Sequence, residues 1–226
     1  MWILREKEFA LLIQGELKGI TQFMSNHILL KGRYSPMTII KSNLELVHNT
    51  IEEIWLNEIS SDYQKSFLLK EDTLKNAFYY HLRRILSNRF LEQNNLAIFT
   101  EFYIPELKQR VDLVVVKIDP VKAEEGYLGD AVKSIIAIVE MKYKGSGATD
   151  EVFEKDVEKV LHYSHLYKED VTKCYVAFIR EKYFYADEVT HFLDDNKLDL
   201  AKGKLVELLA YWVRDDDTVT WEIIAH

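Results

Sequence analysis

The chain has 226 residues, 48% of them hydrophobic, with eight Gly, three Pro and a single Cys. That is enough apolar material for one large domain, or a domain with a helical appendage, and it excludes the disordered, low-complexity and disulfide-stapled classes. A formal net charge of −8 argues against a protein that coats nucleic acid with its whole surface, while leaving room for an enzyme with a local basic groove.

The opening segment "MWILREKEFALLIQGELKG" breaks every apolar run with charge. It holds no signal-peptide core, and nowhere do ~18 apolar residues stand together. A reducing, cytoplasmic setting without membrane contact is expected. In "SPMTIIKSNLELVHNTIEEIWLNEIS" Ser35 suits an N-cap and Pro36 the first helical position. Ile40, Leu44, Val47, Ile51 and Ile54 then recur at helical spacing. We read residues 1–60 as a helical extension without a chemical motif, whose expected role is self-association into a homo-oligomer, and residues 61–226 as the main domain.

A second helix is predicted over Ser66 to Leu91, with Leu74, Phe78, Leu82 and Ile85 as its apolar stripe. The period then changes. "AIFTEFYIPE" and "RVDLVVVKID" read as strands joined by a turn around Glu106–Gln109, and Asp119 to Lys133 reads as a polar loop. The strand "SIIAIVEMKYKGSG" follows and closes in glycine. A helix is predicted from Asp150 to Tyr167, then a short buried strand "CYVAFIR", an amphipathic helix "LDLAKGKLVELLAYWV" and a final strand "TVTWEIIA". This order predicts an α/β fold, a mixed sheet covered by helices.

The strand that closes at Gly145 raises a chemical question. Its apolar run ends in Glu140, Met141, Lys142, and residues two apart on a strand point to the same face. An acid–x–Lys pattern is weak alone, since it also occurs at Glu16–Lys18, Glu106–Lys108 and Asp195–Lys197. Those three fall in a helix-like segment, a turn and a polar loop; only Glu140–Lys142 ends a buried strand. A surface ion pair there would contribute only ~0–1 kcal/mol. In "QRVDLVVV", however, Asp112 interrupts another apolar run, and a buried carboxylate needs a cation, whether Arg110, Lys142 or a metal ion. Two carboxylates beside a main-chain carbonyl make a hard-oxygen site suited to magnesium. A nearby lysine can orient or deprotonate a water and stabilise charge on a phosphorane-like transition state.

With Asp112 in "RVDLVVV" and Glu140 and Lys142 in "IVEMKY", the chain resembles the PD-(D/E)XK nuclease superfamily, the restriction-endonuclease-like fold. The resemblance covers about Ser66 to Ile179 and implies a helix, a strand hairpin, the acid–lysine strand, a helix and a further strand. It implies Mg²⁺ or Mn²⁺ bound by Asp112, Glu140 and the Met141 carbonyl, with Lys142 positioning or activating water. Many members carry a glutamate on the first core helix; Glu71 suits that role, seven and eleven residues before Phe78 and Leu82, whereas Asp72 turns away from the stripe. Two departures stand out: Val111 replaces the proline before the aspartate, and the Asp112–Glu140 separation is long. The expected partner is nucleic acid, DNA ahead of RNA, contacted by Arg110, Lys144 and Lys159.

Other residues have plainer readings. Cys174 sits inside "KCYVAFI" as a small core residue, and Glu101 reads as the polar position of an alternating strand that could still reach the site. His162 and His165, with Glu158, fall on the outward side of a helix and read as surface residues, not a zinc site. "RDDDT" reads as a solvated turn. The rival to the enzyme is a protein that keeps this fold without hydrolysing anything, binding nucleic acid or docking another subunit through its acidic surface.

Overall fold

A computed structural model of the chain describes residues 36–106, 108–167, 172–185, 188–189, 191–193, 195–201, 203–214 and 218–226. The predicted N-cap Ser35, the segment before it, the side chain of Ile40 and residues 215–217 of the predicted turn lie outside the described residues. In chain order the elements are α1 (Pro36–Glu53), a π-helical turn (Ile54–Ile59), α2 (Ser60–Gln64), α3 (Glu71–Gln93), β1 (Leu96–Ile104), β2 (Gln109–Ile118) and α4 (Pro120–Glu125). A 3₁₀ turn (Leu128–Ala131), β3 (Val132–Gly145), α5 (Glu151–Leu166), β4 (Lys173–Phe184), α6 (Asp195–Ala201), β5 (Leu205–Val213) and β6 (Thr218–Ala225) follow.

The chain is α/β, with a six-stranded mixed sheet flanked by helices. Spatial order follows chain order from β1 to β6. The pairs β1–β2, β2–β3 and β5–β6 are antiparallel, while β3–β4 and β4–β5 are parallel, with α5 and α6 lying in the two crossovers. Both faces of the central strands are covered, which is why they read as near-continuous apolar runs. Alternation along β3 feeds two cores. Val139 and Met141 join Val47, Ile51, Trp55, Leu74, Phe78 and Leu82 on one face; Ile138 joins Phe153, Val157 and Val160 on the other. Each fully buried side chain of this size stabilises the fold by about 1.5–3 kcal/mol relative to exposure. The compact unit that holds the sheet runs from Lys41 to His226, so residues 44–59 lie within it, and Leu44, Val47, Ile51, Ile54, Trp55 and Ile59 belong to its core.

Five local expectations are corrected. The segment "LDLAKGKLVELLAYWV" is not one helix: α6 ends at Ala201, Gly203 takes φ 72°, and Leu205–Val213 is strand β5. A strand buried on both faces lacks alternation, and an apolar run of that kind is ambiguous between helix and strand; the left-handed glycine is the stop. The Asp195–Lys197 pair therefore falls in α6 rather than a loop. The stripe of α3 runs in steps of four through Leu74, Phe78, Leu82 and Leu86, so Leu86 is buried (4% exposed) and Ile85 is exposed (42%). The same helix starts at Glu71 instead of Ser66, whose φ is 60°, and the Thr73 hydroxyl accepts the Lys70 backbone N–H at 3.0 Å there. Residues 119–133 are not simply a loop: Asp119 caps α4 by accepting the Val121 and Lys122 N–H groups at 3.0 and 3.3 Å, ahead of Pro120 at the first helical position.

Candidate functional site

The β2–β3 ladder stops at Leu113↔Val139. Asp112 and Glu140 are the next residues beyond that pair on the two strands, where the strands no longer bond to each other. Asp112 fills the gap with its side chain: its Oδ2 accepts the Met141 N–H at 2.7 Å. Its Oδ1 lies 2.8 Å from the Lys75 ammonium, which also contacts Glu101. Glu101 stands across from Asp112, between the pairs Thr100↔Leu113 and Phe102↔Val111.

Glu140 is 2% exposed. The Lys159 ammonium on α5 approaches its Oε1 at 2.7 Å, but not along a hydrogen-bond direction, so that buried oxygen has a counter-charge and no aligned donor. Burial, reinforced by the neighbouring Asp112 charge and only partly offset by Lys159, pushes the Glu140 carboxyl up to about 8. A second fully buried acid makes the comparison. Glu207 has both oxygens engaged, Oε1 with His226 Nε2 at 2.8 Å and Oε2 accepting the Phe192 N–H at 3.2 Å.

Lys142, one pleat beyond Glu140, lies between two acids: Asp156 Oδ2 of α5 at 2.9 Å and Glu71 Oε2 of α3 at 3.3 Å. Burial would lower its pKa, but the Asp156 and Glu71 carboxylates outweigh burial and raise it, so the amine stays an ammonium. Asp156 Oδ2 and the Tyr163 hydroxyl are also buried without a hydrogen-bond partner in good geometry. Burial and the nearby Glu140 carboxylate raise the Tyr163 phenol. Buried side-chain polar atoms are rarely left this way, and three of the five such atoms among the described residues meet here: Glu140 Oε1, Asp156 Oδ2 and Tyr163 Oη.

No family model matches the chain, nor does any curated protein or solved structure.

The structure brings Asp112, Glu140, Lys142 and Glu71 together, ties exposed Glu101 to them through Lys75, and adds Lys75 and Asp156 to the centre. Lys75, not Arg110 or Lys142, takes the Asp112 charge. It follows Glu71 by four residues, one helical turn on the same face, and that spacing could have pointed to it. Asp156 precedes Lys159 by three residues on α5 and could have been found the same way. Lys159 is turned inward to Glu140. Arg110 is exposed, and Lys144 lies half-buried one pleat beyond Lys142; neither forms an ion pair among the described residues. Asp72 points outward to Lys70 at 3.0 Å.

Among the described residues, Glu71, Glu101, Asp112, Glu140 and Asp156 face Lys75, Lys142 and Lys159, five carboxyls to three ammoniums, with Glu140 holding its proton up to about 8. Among the described residues no three His, Cys, Asp or Glu side chains converge as a metal cluster. Cys174 is fully buried, and burial pushes its thiol up to about 12, away from nucleophilic use. His162, His165 and Glu158 are exposed. No described helix is long and apolar enough to cross a membrane.

Proposed function

We propose that the protein hydrolyses phosphodiester bonds in nucleic acid, with DNA as the first substrate to test, on a restriction-endonuclease-like fold that holds Mg²⁺ or Mn²⁺ at Asp112, Glu140 and the Met141 carbonyl. The observation that carries this reading is the convergence of buried polar atoms that lack an aligned hydrogen-bond donor on the acid–x–lysine strand end, where carboxyls outnumber ammoniums. The element order adds support: α3, the β1–β2 hairpin, β3 with Glu140 and Lys142, α5 and β4 follow the order that the resemblance implies.

Magnesium uses one or two carboxylates and keeps several waters, so a pair of acids suffices. In a strand the N–H and C=O of one residue point to the same edge. The Met141 N–H points at Asp112, and its carbonyl therefore faces the same gap. The cation, when bound, would supply Lewis-acid polarisation of a phosphoryl oxygen. The chain's own groups divide the rest. Glu140 would hold the cation as a carboxylate, its proton released to solvent, with Lys159 as its remaining counter-charge. Lys142, kept protonated by Asp156 and Glu71, donates hydrogen bonds to hold a water in line and stabilises negative charge on phosphate. The raised Lys142 pKa favours this orienting role over proton abstraction.

The deciding experiment incubates the protein with linear, circular and single-stranded DNA and with RNA, adding magnesium, manganese or chelator. Metal-dependent cleavage that disappears in Asp112→Ala is the expected result. A second reading, a hydrolytically silent binding or docking protein of the same fold, is favoured by one observation: Lys75, Lys142 and Lys159 are each already paired with carboxylates. A wild type inert with every substrate and metal would select it.

A further inference from the structure

Beside the centre, β1 and the residues before β3 enclose a cleft of about 540 Å³, lined by Phe99, Phe102, Tyr103, Arg110, Tyr127 and Asp130 among others. That volume is in the range of small-molecule sites. Its shape follows from one strained residue. Glu101 takes φ 51°, uncommon for a residue other than glycine. Residues three apart on a regular strand face opposite sides, yet Phe99 and Phe102 pack on the same core and stack with ring centroids 6.1 Å apart. The left-handed step between them turns Phe102 to the side of Phe99 while the pairing with β2 stays one-for-one. Tyr127 stands on the other wall, 77% exposed. Its ring lies over Gly129, where an added Cβ would meet Tyr127 Cε1 at 2.5 Å.

We propose that this cleft receives an unpaired nucleobase of the substrate, making single-stranded or locally opened nucleic acid the preferred ligand; the inference rests on the nuclease reading for its substrate class. Aromatic faces accept any base by stacking. Arg110 is exposed and forms no ion pair among the described residues, leaving its guanidinium for the adjoining phosphate. It precedes Asp112 by two residues, roughly 6.8 Å along the strand. Glu101 lines the cleft and shares Lys75 with Asp112, so one ammonium joins cleft and centre. The Asp130 carboxylate can accept a hydrogen bond from a base amino group.

The test uses the full chain in chelator, so that nothing is cleaved, with a 12-mer carrying 2-aminopurine as a single strand and in duplex form. Wild type is expected to bind the single strand more tightly and to quench its fluorescence. Tyr127→Ala should weaken single-strand binding by about 5- to 150-fold, the range for one lost base stack, and abolish quenching; Tyr127→Phe should retain both. Gly129→Ala, which displaces the Tyr127 ring, should act like Tyr127→Ala. Tyr127 is too exposed for its loss to unfold the domain, and exposed Tyr80 on α3 serves as the control substitution. Equal affinity and quenching in wild type and Tyr127→Ala, or no single-strand binding by wild type, would overturn the inference. If wild type cleaves DNA while Tyr127→Ala binds normally, the cleft assignment fails and the nuclease reading stands. If Tyr127 governs binding but no metal elicits cleavage, the nuclease reading fails and the cleft stands.

Discussion

Replacing Glu140 by Gln is expected to stabilise the metal-free protein at alkaline pH and to leave it nearly unchanged in acid. The folded protein holds the Glu140 proton up to about 8, whereas an exposed glutamate releases it near 4.5. Between those values the folded state binds a proton that the unfolded state has lost, so stability falls as pH rises, and the loss is complete above 8. At about 1.4 kcal/mol per pH unit the cost reaches at most roughly 5 kcal/mol. A glutamine never pays that charge-burial cost and keeps nearly the same shape. For a chain of this size each kcal/mol moves the midpoint by about 2–4 °C, so the difference should be plain in a thermal scan. The assay is thermal or urea unfolding of both proteins in chelator at pH 5 and pH 9. A stability difference that is the same at both pH values would refute the assignment of Glu140 as a destabilised buried acid.

Lys142→Ala should slow metal-dependent cleavage by about 10²–10⁴-fold, the range for a positioned acid–base or hydrogen-bonding group, while metal affinity measured by calorimetry persists; Asp112→Ala should lose both. Lys75→Met keeps the apolar stem but strips Asp112 and Glu101 of their cation, and urea titration should show a loss of about 1–3 kcal/mol. Gly203→Ala should cost about 1 kcal/mol from left-handed backbone strain, because the added methyl meets only His226 O at 3.7 Å; thermal unfolding checks it. A chain beginning at Lys41 keeps every residue of the sheet-bearing unit, and light scattering on it should show fewer subunits per particle than the full chain if the N-terminal segment drives self-association.

The parts of the centre that were legible in the sequence are those where polarity breaks a pattern. Asp112 and Glu140 stand out because each interrupts an apolar strand, and an acid in such a place demands a partner. Glu71 was legible through its place on the α3 stripe. The partners themselves were harder to see. Lys75, Asp156 and Glu101 sit at positions where a charged residue on an amphipathic helix or edge strand is ordinary; only the packing of α3 and α5 against opposite faces of the sheet turns Lys75 and Asp156 inward, and Glu101 stays exposed, reached by Lys75. The β5 error has the same root. A strand covered on both faces shows no alternation, so "LVELLAYWV" carries no period that distinguishes it from a buried helix. Glu101's backbone strain left no trace in its residue type.

The sheet's strands lie side by side in the order in which they occur in the chain. No strand must be threaded between two that have already paired. During synthesis each new strand meets an open edge, beginning with the local β1–β2 hairpin, and closes only the loop to its immediate predecessor; loops of that modest length are the cheap ones in entropy. The strands that carry Asp112 and Glu140 are thus laid down early, while β5 and β6 arrive last, on the far side. A ribosome-stalled chain ending after β4 would already present the acid pair, and would still expose along β4 an apolar edge awaiting β5, the point at which an unfinished molecule is most open to pairing with a neighbour.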